Sequence, residues 1–183
     1  SNATLPDSIF VPSAGGDLIF GIYKGFKELK EMGVIDRIPK MVVAQGAYAS
    51  PTVKAIEKSE EIVPETKRAD TVAGALRVNF GAEHTLQAVY NSKGFGIAVT
   101  DKEIISAQRE VAKLEGIFCE ISSATALAAI AKAAKLGKIS KQESATAILT
   151  GVGFKEYFPA FRDSSRVPLA TSVEMIPKIL KNF

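Results

Sequence analysis

Two short apolar runs, Ile9-Phe10-Val11 and Met41-Val42-Val43-Ala44, are each followed by a loop of small residues and then by a helix-like segment. A strand without polar alternation is buried on both faces, and such strands belong to parallel sheets covered by helices. The rest of the chain keeps the alternation, with Gly94–Val99 and Ala145–Leu149 reading as further strands. After Asp17, the residues Leu18, Ile19, Ile22, Phe26 and Leu29 recur at helical spacing to about Met32. Lys24, Lys27, Glu28, Lys30 and Glu31 lie on the other face, and Gly33 is a stop signal. Ser50-Pro51 opens a second helix, with Ser50 as cap and proline at the first helical position.

Thr71–Val78 and Glu83–Asn91 read as two short helices flanking Asn79-Phe80-Gly81. Thr100-Asp101-Lys102-Glu103 is a capping box that starts a long helix through Leu114, with Ile104, Ile105, Gln108, Val111 and Ala112 inward. Glu115-Gly116 closes it. Ile117–Ile121 is a short extended bridge, and Ser122-Ser123 cap an Ala-rich helix from Ala124 to Leu136. Ser140–Ser144 reads as a helical turn, Glu57–Thr66 and Phe158–Pro168 as irregular segments, and Val173–Leu180 as a terminal helix. The order implies a three-layer α/β fold: an open, mostly parallel sheet with helices on both faces. Ligands in such folds bind beyond the carboxyl ends of the strands. Here those ends carry Ser13–Asp17, Gln45–Ser50, Thr100–Asp101 and Thr150–Gly153.

The first of these loops is the most suggestive. Strand, Ser13-Ala14-Gly15-Gly16-Asp17 and helix follow one another directly, which puts unpaired amide N–H groups and the positive end of a helix dipole at one point. That is an anion site, above all for phosphate; the alternative is a tight turn only. The spacing matches neither a GxGxxG nor a Walker loop. Glu120 before Ile121-Ser122-Ser123 brings a carboxylate and hydroxyls to a helix start, as cap or as site. Thr150, at the end of a buried strand and before Gly151-Val152-Gly153, is placed either to meet a ligand or to make a turn. His84 reads as a surface or capping residue and Cys119, within Ile117-Phe118-Cys119, as a small core residue.

Composition narrows the partners. The 183 residues suit one domain, 46% apolar and 23% charged, and a net charge of +3 without basic runs argues against nucleic acid. No apolar stretch approaches the ~18 residues of a membrane helix. One cysteine and one histidine offer no pair to hold a transition metal and no disulfide framework, so a reducing, cytoplasmic setting is the default. Ser1-Asn2-Ala3 reads as the remnant of a cleaved tag, and the start at Thr4, just ahead of the first strand, suggests a piece cut from a longer chain.

Six segments in order resemble the threonine synthases, pyridoxal-phosphate enzymes of the tryptophan-synthase-β-like fold. They are Val11–Asp17 with Gly21–Leu29; Val43–Ala47 with Ala49-Ser50-Pro51; Thr71–Arg77; Val99–Ile104; Glu115–Glu120; and Leu149–Lys155. The resemblance reaches nearly from the start to about Tyr157. It implies the large-domain portion of fold type II, with pyridoxal 5'-phosphate as cofactor, and an enzyme that as a full-length protein is a homodimer acting on a small amino-acid substrate. Residues 4–183 would then be the carboxyl-terminal coenzyme-binding portion. The family converts O-phosphohomoserine and water to threonine and phosphate. The resemblance also implies that Ser13, Ala14, Gly15, Gly16 and Asp17 hold the coenzyme phosphate, that Thr150 with Gly151 meets the pyridine nitrogen, and that Glu120 and Ser122 form part of the ring wall. A neutral hydroxyl at that nitrogen leaves it largely unprotonated and the coenzyme a weaker electron sink, suited to β-elimination and replacement.

Three departures stand out. The loop is shorter than the family's Gly-Asn-Ala-Gly-Asn and ends in Asp17, whose carboxylate is compatible with a phosphate only if it turns away or caps the helix. Ile121 replaces the proline usual after the glutamate. The family's Schiff-base lysine lies well before the phosphate loop, and neither Gly25-Phe26-Lys27-Glu28 nor Gly153-Phe154-Lys155-Glu156 occupies that place. A fragment without the lysine is expected to be inactive alone. Two alternatives stay open: a threonine or serine dehydratase or a cysteate-synthase-like enzyme of the same fold, and a non-catalytic regulatory or nucleotide-binding α/β domain. Arg162 and Arg166 could meet a substrate phosphate or solvent.

Overall fold

In the computed structural model, which describes residues 5–155 and 170–180, alternating side chains along the strands divide the core between two faces of one sheet. The strands are β1 (Ser8–Pro12), β2 (Lys40–Gly46), β3 (Phe95–Val99) and β4 (Ala145–Ala147), in the order β3-β2-β1-β4 and all parallel. Phe10, Val42, Ala44 and Ile97 pack toward α4 (Asp101–Glu115) and α5 (Ile121–Lys135). Ile9, Val11, Met41 and Val43 pack on the other side against Ile19 and Tyr23 of α1 (Asp17–Glu31), Val53 of α2 (Pro51–Glu57) and Ala88 and Val89 of α3 (Glu83–Asn91). The sheet therefore forms the middle of three layers, as its unbroken apolar runs require. A final short helix, α6 (Ile176–Leu180), follows a 3-10 turn at Val173–Met175.

The register aligns the carboxyl ends. Pro12 pairs with Ala44, Gly46 with Val99, and Phe10 with Ala147, after which Ile148 N–H donates to Phe10 O. The loops after all four strands thus open on one edge. The Ala-rich α5 has nine buried residues, and its small side chains let it lie close against the strands. The capping box of α4 is formed: Glu103 N–H donates to Thr100 Oγ1, Thr100 N–H to Glu103 Oε2. Gly116 closes α4 with φ 68°.

Several elements differ from the sequence reading. Thr71–Val78 holds only a 3-10 turn, Gly74–Leu76. The Arg77 guanidinium donates twice to Thr71 O (3.2 and 2.7 Å), taking the carbonyl that a helix would use. Helix α5 begins at Ile121, with Glu120 as N-cap, so Ser122 and Ser123 stand inside its first turn and are not its caps. Ser50 N-caps α2 by position, yet its hydroxyl donates to Ala47 O. β2 extends through Gln45 and Gly46, and β4 stops at Ala147. Ser140–Ser144 is a turn without helical geometry. On α1 Leu18 is exposed while Tyr23 is buried. Phe158–Pro168, with Arg162 and Arg166, lies outside the described residues.

Candidate functional site

At the end of β1 the chain turns through Ser13–Gly16 into α1. Gly16 takes the N-cap with φ 113°, a left-handed conformation open to glycine, and offers no side chain to cap the helix. A Cβ on Gly16 would stand 1.6 Å from Thr85 Oγ1, so glycine is required by contact as well. Among the described residues, the N–H groups of Ala14, Gly15 and Gly16 have no acceptor, and the first amides of α1 have none by the nature of a helix start. Ser13 Oγ is buried and has no hydrogen-bond partner. Pro12, Ser13, Ala14, Gly15, Gly16, Asp17, Leu18 and Leu76 line a cleft of about 190 Å³ there. Unpaired donors, a buried hydroxyl and a helix dipole all favour an anion of phosphate type.

Three neighbours hold the loop in this shape. Gln45, fully buried on β2, donates from Nε2 to Ser13 O (3.2 Å), and its Oε1 accepts the Val53 N–H of α2 (3.1 Å). Ala82 N–H donates to Gly15 O at 2.9 Å, and Thr85 Oγ1 approaches the same carbonyl at 3.4 Å. The Gly15 carbonyl is thereby drawn to the start of α3. Asp17, the residue least compatible with a phosphate, has a side chain 93% exposed, with Oδ1 3.2 Å from His84 Nε2. The contact falls short of hydrogen-bond alignment, since His84 Nε2 is itself without a hydrogen-bond partner, but it pairs charge when the imidazole is protonated. The His84 ring also lies on Phe20, 4.7 Å between centroids.

The second half of the site joins the end of β4 to the start of α5. Ser123, fully buried, accepts Thr150 N–H (2.9 Å) and Gly151 N–H (3.1 Å) at Oγ, which also lies 2.9 Å from Thr150 Oγ1. Glu120 N–H donates to Gly151 O at 2.9 Å. The Glu120 side chain is buried beneath this turn: a Cβ on Gly151 would meet its Oε2 at 2.1 Å, and Lys155 Nζ is 3.6 Å from the same oxygen. Ser122 Oγ accepts Ala75 N–H (3.2 Å), which ties the Gly74–Leu76 turn, and so Leu76 in the cleft wall, to α5. Cys119 is buried and its thiol is pushed up by desolvation, with Glu120 adding to the effect, so it is not a poised nucleophile. The structure therefore brings the Ser13–Asp17 loop and Thr150-Gly151 to neighbouring strand ends. The sequence marks Ser123, with Glu120 and Ser122, as cap or site, and Gln45 as the start of the loop after β2; Thr85 carries no functional signal and looks like an ordinary first-turn residue.

The family model described as pyridoxal-phosphate dependent enzyme matches residues 2–151. The chain belongs to the pyridoxal-phosphate-dependent enzymes. It is 37% identical over 185 aligned residues to a protein named threonine synthase from Methanocaldococcus jannaschii, covering 100% of this chain and 46% of the relative. It is 38% identical over 149 residues to one from Methanosarcina acetivorans, covering 80% and 37%, and 31% identical over 166 residues to one from Mycobacterium tuberculosis, covering 90% and 44%. The chain thus spans less than half the length of these relatives. Among solved structures, a fungal L-serine ammonia-lyase from Rhizomucor miehei superposes with a TM-score of 0.68 at 19% identity, covering 82% of this chain and 47% of that one. Maize serine racemase gives 0.63 at 25% identity, covering 81% and 44%. These neighbours carry the fold: a pyridoxal-phosphate enzyme of fold type II.

Proposed function

We propose that this chain is the carboxyl-terminal coenzyme-binding portion of a threonine synthase, which converts O-phosphohomoserine and water to threonine and phosphate. What supports the reading is the run of relatives named threonine synthase, 31–38% identical across 80–100% of the chain. The residues fit the coenzyme: a phosphate would be held by the free amides of Ala14, Gly15 and Gly16, by the start of α1 and by the unpartnered Ser13 hydroxyl. Bound pyridoxal phosphate supplies a conjugated electron sink for chemistry at the substrate's carbon chain. The chain's own part is to bind and orient. Asp17 contributes its amide while its carboxylate stays in solvent toward His84. Thr150 would offer its hydroxyl to the pyridine nitrogen, Gly151 lets the turn pass over Glu120, and Ser122 braces the wall that carries Leu76.

The nucleophilic lysine belongs to the part of the enzyme not in this chain. Lys27 is exposed on α1, 3.6 Å from Glu31, and Lys155 is exposed and pairs with Glu120. The complete enzyme is read as a cytoplasmic homodimer. Among the described residues, no helix is long and apolar enough to cross a membrane. The test is to assay the complete enzyme for phosphate release from O-phosphohomoserine with threonine as co-product. Formation of 2-oxobutyrate from threonine without phosphate release would replace the synthase by a dehydratase. Borohydride fixing pyridoxal phosphate to a lysine of this chain would overturn the assignment of the lysine elsewhere.

A further inference from the structure

The outward face of α3 carries opposite charge at its two ends. Glu83, Gln87, Tyr90 and Asn91 follow helical spacing, share one face and are all exposed. α3 packs against both α1 and α2, so this face lies between them in the helical layer. Glu61 and Ile62 join Glu83, Gln87 and Tyr90 around a groove of about 490 Å³. Past the end of the helix, Lys93 joins Lys30, Arg37 and Lys40 around a cleft of about 370 Å³, and Asn91 lines both. In that cleft Arg37 pairs with Asp7 (3.0 Å) and Lys40 with Glu143 (3.2 Å). Among the described residues, Lys30 and Lys93 have no carboxylate partner, and Glu61 and Glu83 have no cationic one. Ile62 is 65% and Tyr90 39% exposed, and on the basic side Met32 and Val34, between Lys30 and Arg37 in sequence, are exposed by 67% and 66%. The helix dipole favours acid at the start of α3 and base beyond its end. It does not account for apolar side chains left in solvent beside both ends, nor for the charges that Glu61 and Lys30 add from other elements.

We propose that this face pairs with the same face of a second copy of the chain, the two α3 helices lying antiparallel about a two-fold axis near Gln87. A two-fold interface is self-complementary, so one patch must carry both halves of every contact. The α3 face does so. Glu83 and Lys93 stand about 15 Å apart along the helix direction, with Gln87 near the midpoint. Rotation about that point lays the acidic groove of one protomer over the basic cleft of its partner, and the same contact is made twice. A parallel pairing would set like charge on like. The proposal rests on the reading of the complete enzyme as a homodimer and adds which face is shared.

Charge reversal in the complete enzyme tests this. Glu61→Lys and Lys93→Glu change exposed residues that the coenzyme loop does not touch. Each alone sets like charges together twice per dimer and should raise the dimer dissociation constant about tenfold at low salt, measured by analytical ultracentrifugation. Mixed and allowed to exchange subunits, the two variants restore opposite charge at both contacts. With different mass tags they should give heterodimers as about nine-tenths of all dimers by native mass spectrometry, against the roughly one-half of random exchange, and high salt should erase the preference. Random exchange, or single variants that dimerise as tightly as wild type, overturns the proposal and leaves the homodimer reading standing; a monomeric wild type overturns both. Gln87→Cys gives a measurement that needs no charge change. A bismaleimide with a reach of about 8–10 Å, the spacing of packed helices, should link it into a covalent dimer above the wild-type background, whereas Lys113→Cys on α4 should not be linked. If a charge variant fails to fold by circular dichroism, this cross-link decides, and its absence overturns the proposal.

Discussion

Replacing Gln45 by leucine should cost far more than its conservative volume suggests. Gln45 joins the β1 loop to α2, donating to Ser13 O at 3.2 Å and accepting Val53 N–H at 3.1 Å. Val53 is the third residue of α2, one of the first-turn amides without an intrahelical acceptor, and Ser50 does not cap it because its hydroxyl is turned to Ala47 O. Gln45, Thr52 and Val53 are fully buried and Ser13 is nearly so, which leaves water no route to replace the lost bonds. Each buried group left unpaired costs about 1–3 kcal/mol. Leucine returns part of the sum through its own apolar burial, so Gln45→Leu should lower unfolding stability by about 2–4 kcal/mol. Urea unfolding followed by circular dichroism should show a lower midpoint with an unchanged slope. Amide exchange at Val53 should accelerate more than at β2 residues. Gln45→Glu sharpens the test: it keeps the acceptor for Val53 N–H but turns an acceptor on Ser13 O unless protonated. Burial and that repulsion raise its folded pKa, so its stability should be greatest at low pH and fall as pH rises above the ordinary glutamate value of about 4.3. A loss below about 1 kcal/mol for Gln45→Leu, or a pH-independent Gln45→Glu, would refute the role of Gln45 as a bridge between loop and helix.

Gly16→Ala combines a positive φ with a Cβ pushed into Thr85 and should destabilise the protein by about 2–4 kcal/mol while abolishing phosphate binding measured by calorimetry. Thr100→Ala removes the capping box of α4 and should cost about 1 kcal/mol at neutral pH. Hydrogen bonds from Thr100 and the nearby Lys132 hold the Glu103 carboxyl below its ordinary value despite desolvation. That contribution is present above the unfolded glutamate pKa and is lost as pH falls through the lower folded value, so the gap between wild type and variant should narrow in acid. Asp17→Asn should change the affinity for inorganic phosphate by less than about threefold, because an exposed carboxylate is screened by solvent. Cys119 should resist thiol reagents in the folded protein and react stoichiometrically once it is unfolded in urea, as absorbance of the released chromophore would show.

The sheet was legible because parallel strands buried on both faces advertise themselves as apolar runs, and Ile9–Val11 and Met41–Ala44 fall inside β1 and β2. The capping box and the bounds of α3 were legible for a similar reason: the determinants are local. Thr71–Val78 misled because its helical pattern is overridden by Arg77 folding back on Thr71 O, a contact that competes with the helix ladder. Ser122-Ser123 resembled caps because serine at a helix start commonly is one. Here the chain already turns at Glu120, anchored by its N–H to Gly151 O, which frees both hydroxyls for partners 47 and 27 residues away in sequence. The Gly15-Gly16 pair announced the loop, but what shapes the loop did not show. Thr85 meets Gly15 across 70 residues, and Gln45 meets Ser13 across 32.

These distant contacts explain why the unpaired donors gather where they do. The helices on this edge start at the carboxyl ends of parallel strands, and each must find acceptors for its first amides. For α4 the chain supplies them locally through Thr100 and for α2 through Gln45. For α1 it does the opposite: Gly16 brings no capping side chain, Asp17 leans away toward His84, and Gly15 O is engaged by Ala82 and Thr85. The loop keeps a left-handed glycine and a buried, unpartnered Ser13 hydroxyl. A turn that was structural only would gain by capping itself. The first turns of α3 and α5 instead hold two loops in place: Ala82 and Thr85 brace the loop whose unpaired amides favour an anion at the end of β1, and Ser123 braces the Thr150-Gly151 turn beyond β4.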